Sequence, residues 1–207
     1  MTKKVSKEEK KALEELDELK KEMPDDVKDK LDKLKNKLDK FRDAVVKKFD
    51  RHVIGISLLP PKNIDREKER VKFEEKRELN EEELNKLKNS INILVLMDDN
   101  DSKKMSKDEL TYKLGGVLDK IAKDIDKNFF VEPMVKSELM QSCYDARYEI
   151  MDLVAISAPL YDPMEIIQAI KLTQIHKQMV LKKFEKYIVS YIAAASFFRG
   201  DKICNDL

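Results

Sequence analysis

Apolar side chains change their spacing several times along this chain, and each change marks an element. Residues 6 to 51 have a helical pattern. Leu13, Leu16 and Leu19 lie in one stretch, and Val27, Leu31, Leu34, Leu38, Phe41, Val45 and Phe49 follow in steps of three and four. The second set makes one narrow apolar stripe. Pro24, followed by Asp25 and Asp26, suits a helix start, where proline is tolerated and acids meet the positive dipole end. It therefore divides two helices, and a helical hairpin or coiled-coil arm is expected. From Val53 to Leu59 the pattern becomes that of a buried strand, closed by Pro60-Pro61.

A charged stretch from Lys62 to Lys88 has Leu79, Leu84 and Leu87 as its few anchors, which predicts a mobile first half and a solvated helix in the second. Ile91 to Met97 is a second buried strand. Ser106 and Glu109 stand at capping-box spacing before a helix carrying Leu110, Leu114, Leu118, Ile121 and Ile125. Phe129 to Val135 is a third strand, which Pro133 assigns to an edge or a strand end. Ser137-Glu138 opens a helix through Ala155. After Tyr161-Asp162-Pro163 a last helix, with Ile166, Ile167, Ile170, Ile175, Met179 and Phe184, leads into a strand from Ile188 to Ala194. The predicted class is α+β: a small mixed sheet of about three strands covered by helices, with the N-terminal arm in front.

Charge narrows the choice of partner. Of 207 residues, 42 are basic and 41 acidic, so no global field points to nucleic acid or to an anionic membrane. The longest apolar runs are far too short to cross a bilayer, and Met1-Thr2-Lys3-Lys4 leads straight into Lys/Glu repeats, so a soluble cytoplasmic protein is expected. Cys143 and Cys204 stand far apart without histidines at metal-ligand spacing and read as reduced thiols. His52 and His176 have no nucleophile beside them, and Met134, Met140, Met151 and Met164 fall at core positions. The abundance of Lys and Glu, with no Trp and only 4 Gly, hints at a heat-adapted proteome.

Lys47-Lys48-Phe49-Asp50-Arg51-His52-Val53-Ile54 aligns without a gap on Lys182-Lys183-Phe184-Glu185-Lys186-Tyr187-Ile188-Val189. The chain thus starts one unit twice. The second copy continues into Ala195-Ser196-Phe197-Phe198-Arg199-Gly200 and reaches Asp206, where the first copy has Pro60-Pro61 and Ser90-x-Asn92. A small-Ser-x-x-Arg-Gly turn after a strand, followed by an aspartate, resembles the polymerase-β-like nucleotidyltransferases in an archaeal-type tandem arrangement. Their signature is Gly-Ser-x-x-Arg-Gly and then Asp-Ile-Asp on the next strand.

That resemblance implies three regions: a charged helical arm over 1–51, a degenerate nucleotidyltransferase-like domain over 52–160, and a connecting helix over 161–207 with the start of a second, truncated domain. It implies phosphate-turn roles for Ser196, Arg199 and Gly200 and a metal-ligand role for Asp206. Its second carboxylate would fall after Leu207, and Ala195 replaces the usual glycine. In the first domain Ser90 and Asn92 are neutral and Pro60-Pro61 lack N–H donors, so an inactive pseudoenzyme is expected. Glu132 lies where the family carries a third carboxylate.

Mg²⁺ is expected only for a complete second domain, and none for this chain. The expected function is that of a scaffold or regulator for nucleotidyl transfer, with a nucleotide and an RNA or protein acceptor as partners. The alternative is a non-enzymatic module that binds protein or RNA. Self-association through the arm or through strand 187–196 is a further expectation, and no membrane contact is expected. Asp98 and Asp99 lie too far along their strand to replace Ser90 and Asn92. Asp98-x-Asn100-x-Ser102 departs from a calcium loop at Lys103 and reads as a strand-end turn before a helix cap.

Overall fold

The structure, a computed structural model, describes residues 23–101, 105–145 and 147–188. The predicted first helix of the arm and the strand from Ile188 to Ala194, beyond Ile188 itself, lie outside these residues, as does the side chain of Cys143. The chain divides into two compact units, one up to Asp39 and one from Lys40 onward.

Helix α1, Asp25–Phe49, begins where the sequence predicts. The Pro24 carbonyl accepts from the Val27 and Lys28 amides at 3.0 and 3.1 Å, Asp25 and Asp26 occupy the first turn, and Lys47 and Lys48 the last. Its apolar stripe is buried only in part: Val27 and Leu31 are exposed, whereas Leu38, Phe41 and Val45 are buried. Among the described residues the stripe is therefore buried only toward its C-terminal end.

The remaining elements follow in the order β1 (Val53–Leu58), α2 (Ile64–Glu74), α3 (Glu81–Asn89), β2 (Ile91–Met97), α4 (Lys107–Ile125), β3 (Phe129–Val135), α5 (Lys136–Tyr144), α6 (Tyr148–Ile156), β4 (Ala158–Tyr161) and α7 (Ile166–Phe184). The fold is α+β. Its mixed sheet has the order β3-β2-β1-β4, with β1 antiparallel to both β2 and β4, and β2 parallel to β3. Parallel neighbours need a crossover, and α4 supplies it between β2 and β3. Pro133 lies on the edge strand β3, where a missing N–H costs least.

Three expectations are corrected. The sheet has a fourth strand among the described residues, β4, with Pro159 in it. The segment after Lys62 is a helix rather than mobile: the Asn63 side chain accepts from the Asp65 and Arg66 amides at 3.0 and 3.2 Å and so caps α2. The helix expected through Ala155 is two helices, since a straight run from Lys136 to Ile156 would extend about 30 Å. The break lets Leu139 of α5 and Val154 of α6 enter one core.

That core covers one face of the sheet. Ile54, Leu94 and Leu96 meet Leu139, Val154, Ile166, Ile167 and Ile170, with Met134 and Met151 packed against them. Met164 is exposed, contrary to its predicted core role, because it precedes the first turn of α7. On the other face the Phe41 ring meets the Phe129 ring edge to face, 5.9 Å between centroids and 87° between planes, both fully buried. The aligned blocks of the repeat follow the same order of elements: each helix passes through one 3₁₀ turn, Asp50–His52 or Glu185–Tyr187. Each then enters extended backbone, at Val53 (φ −85°, ψ 112°) or Ile188 (φ −94°, ψ 118°).

The Asp162 carboxylate accepts from the Gln168 amide at 2.9 Å and holds the start of α7. Burial pushes this carboxyl above its ordinary value of 3.8, and the amides of Gln168, Ile167 and Ile166 pull it back in part. A carboxyl raised in the folded state holds its proton longer there than when unfolded, so stability falls as pH rises from 3.8 through the folded-state value. Asp162→Asn should remove this slope. Urea unfolding of both proteins at stepwise pH tests it, and parallel profiles would contradict the assignment. Phe41→Ala should lower the unfolding free energy by about 3–5 kcal/mol, read from the shift in urea midpoint. A loss under about 1 kcal/mol would show that the ring pair does not anchor α1 to the sheet.

Candidate functional site

The chain leaves the sheet at the end of β1 beside the start of β2, where the Leu59 amide donates to the Asn92 carbonyl at 2.8 Å. Pro60 and Pro61 then carry no N–H, so the ladder stops and these two positions offer no amide to a ligand. Asn63 starts α2 at once. The result is a cleft of about 570 Å³ with Leu59, Pro60, Pro61, Lys62 and Arg66 on one side and Asn92, Glu132, Leu153 and Ile156 on the other.

Strand pleating decides what points into it. Asn92, Leu94 and Leu96 share a face of β2, and the pairing of Leu94 with Glu132 puts Glu132 on the same face of β3. Asn92 is 2% exposed, and neither its Nδ2 nor its Oδ1 has a hydrogen-bond partner. The Ser57 hydroxyl, paired in register with Leu94 on that face, is also buried without a partner. Glu132 is half-exposed and accepts Lys62 Nζ at 3.0 Å. Lys62, Glu67 and Asn92 also line a second cleft of about 300 Å³, so they form the partition between the two.

On its far side the second cleft is walled by the α2–α3 hairpin, held by charge. Arg70 binds Glu67 at 2.8 Å and Glu74 at 3.0 Å, and Arg77 makes a two-pronged contact with Glu83 at 2.8 and 2.9 Å. The Arg77 guanidinium, followed by the Asn80 amide, holds the Glu83 carboxyl below its ordinary range. Glu83 and Asn80 close a capping box at the start of α3. These pairs are solvent-exposed, so each contributes little stability.

Of the residues singled out from sequence, Asn92 and Glu132 meet in the first cleft. Ser90 lines only the second, and its hydroxyl donates back to the Leu87 carbonyl at 2.8 Å. Asp99 accepts from the Ser137 amide at 3.1 Å, just inside the start of α5. Ser102 and Lys103 of the calcium-like stretch lie outside the described residues. So do Ser196, Arg199, Gly200 and Asp206, and Cys204. Lys62 and Arg66 were missed as site residues because their segment was read as mobile. Asn63, a capping residue directly after two prolines, was the signal for the helix that positions them.

Chemically, the cleft offers two carboxylates already paired with cations, Glu132 with Lys62 and Glu67 with Arg70, the neutral amides of Asn63 and Asn92, and the Arg66 guanidinium. That donor set does not fit a pair of divalent ions, which need several anionic oxygens. Among the described residues no group of three or more His, Cys, Asp or Glu side chains is placed to hold a metal ion, and no helix is long and apolar enough to cross a membrane. No family model, curated protein or solved structure matches the chain.

A carboxylate in place of the Asn92 amide would put a charge into a buried spot on the face that already carries Glu132. Asn92→Asp should therefore lower stability at neutral pH by about 3–5 kcal/mol. The loss should shrink on acidification, because burial raises the pKa of the new carboxyl and protonation relieves it. Asn92→Leu should raise stability by about 1–3 kcal/mol, since it removes a buried group that has no partner. Urea unfolding of the three proteins at neutral and acid pH is the check. Native-like stability of Asn92→Asp at neutral pH would mean that a cation compensates it.

Proposed function

We propose that the unit containing β1 to β3 is a nucleotidyltransferase-like domain without phosphoryl-transfer activity. It acts as scaffold or regulator for a second domain, in which Ser196, Arg199 and Gly200 hold phosphate and Asp206 holds metal. One observation carries the reading. Of the four places where the resemblance puts phosphate and metal contacts, the turn after β1, Asn92 on β2 and Glu132 on β3 line a single cleft, and Ser90 lines only the neighbouring one. Two prolines, an amide and an ion-paired glutamate occupy the three in the single cleft. The shared helix, 3₁₀ turn and extended segment at the two aligned blocks supports a second copy of the unit after α7.

The expected outcome for residues 1–207 is weak binding of magnesium nucleotides, because Asp206 alone and a few turn donors supply too few ligands for the metal and the triphosphate. Titration calorimetry with ATP, CTP, GTP and UTP in Mg²⁺ should give dissociation constants no tighter than about 100 μM. Sub-micromolar, magnesium-dependent affinity that is lost in Glu132→Gln would overturn the proposal.

A further inference from the structure

Helix α7 departs from the charge balance of the chain. Its 19 residues include Lys171, Lys177, Lys182 and Lys183 and no carboxylate, against 41 acids and 42 bases overall. Its inner side buries Ile166, Ile167, Ala169 and Ile170. On the outer side Leu172 is 56% exposed, Ile175 53% and Met179 64%. The steps of three and four continue to Gln168 before them and Lys182 after them, the spacing of a seam between two helices. Extending the gap-free alignment of the repeat upstream sets these three residues against Lys37, Lys40 and Ala44, so repetition of the unit does not by itself demand an apolar stripe there.

We propose that this face of α7 is the docking site of an acidic amphipathic helix in a partner protein. Apolar residues at three- and four-residue steps fit the facing helix. The positions flanking the stripe, Lys171 and Gln178 on one side and His176 and Lys183 on the other, then select its charge. Lys171 already donates to the Ser157 carbonyl at 2.6 Å, which fixes the helix to the domain and leaves selection to the lysines nearer its C-terminal end. A second copy of α7 is disfavoured, since it would bring lysines against lysines with no acid between. RNA gains nothing from three apolar side chains at the centre of the site. A lipid interface needs a wide apolar face, whereas here the inner half of the helix is committed to the core. The inference is independent of the nucleotidyltransferase reading, because no residue of the cleft takes part.

The test uses the full chain and a synthetic three-heptad peptide with Leu at its seam positions and Glu beside them. A control peptide carries Lys at those flanking positions. Fluorescence anisotropy should show the Glu peptide binding at least about tenfold more tightly than the Lys peptide, with affinity falling as salt rises. Ile175→Glu should weaken it about tenfold or more with an unchanged melting temperature, since the side chain is more than half exposed. The double substitution Lys182→Glu and Lys183→Glu should weaken it and flatten the salt dependence, and it keeps the test intact should Ile175→Glu fail to fold. Equal affinity for the two peptides overturns the proposal, as does indifference to both variants. So does tighter binding to phosphatidylserine vesicles or to polyuridylate that these same substitutions abolish.

Discussion

The two central strands have no free side. β1 is paired along both edges and β2 lies between β1 and β3, and residues on both faces of each are buried. A backbone committed in this way forces two separate covers, each worth about 1.5–3 kcal/mol per fully buried large side chain. One cover includes the C-terminal part of α1, pinned where Phe41 meets Phe129. The other is α6 with the first turns of α7, where Ile167 approaches β1 so closely that a Cβ on Gly55 would lie 2.9 Å from its Cδ1. The Asp162 cap and strand β4 follow from this need: β4 returns the chain along β1, and the cap turns it into α7 over the face it must cover.

The cleft lies at the end of β1, where the chain must leave this packed centre. Prolines there stop the ladder without demanding replacement donors, and Asn63 starts α2 within a few residues, bringing Lys62 and Arg66 alongside Asn92. A site at this point inherits its floor from the sheet and its far wall from a helical hairpin. Most of that hairpin's specificity comes from charge pairs and caps, so its wall is the less firmly held of the two.

Those two modes of construction separate what was legible in the sequence from what was not. Ile91–Met97 and Phe129–Val135 coincide with their predicted limits because a strand buried on at least one face shows as an apolar run bounded by polar residues. The start of α4 was legible as well, since Ser106 accepts from the Glu109 amide at 3.2 Å. Helix α2 was not, because Val71 is its only buried residue and its stability rests on Asn63 and ion pairs that leave no apolar period. Strand β4 is four residues with a proline, and it is a strand only because β1 has an open edge there. The parallel pairing and register that bring Asn92 and Glu132 to one face were not legible, because neither strand's apolar run fixes its neighbour. Nor was Lys62 on Glu132, because the partner comes from the segment whose helical start was misread.

Charge bookkeeping at the cleft limits what the site is for. Two or three carboxylates on adjacent strands repel one another unless a cation sits among them, so a site of that kind is destabilising when empty. Here Glu132 is the carboxylate on the strands and Lys62 pairs with it, while Glu67 of α2 is paired with Arg70, so this part of the fold has no need of a bound ion for stability. Yet the solution is not the most stable one open to a purely structural strand. A buried amide with neither donor nor acceptor satisfied costs about 1–3 kcal/mol, and an apolar side chain at position 92 would avoid it in the company of Leu94 and Leu96. Asn92 therefore retains a polar floor beneath a cleft whose charges are internally balanced. That combination does not supply the anionic oxygens that a metal-bound triphosphate needs.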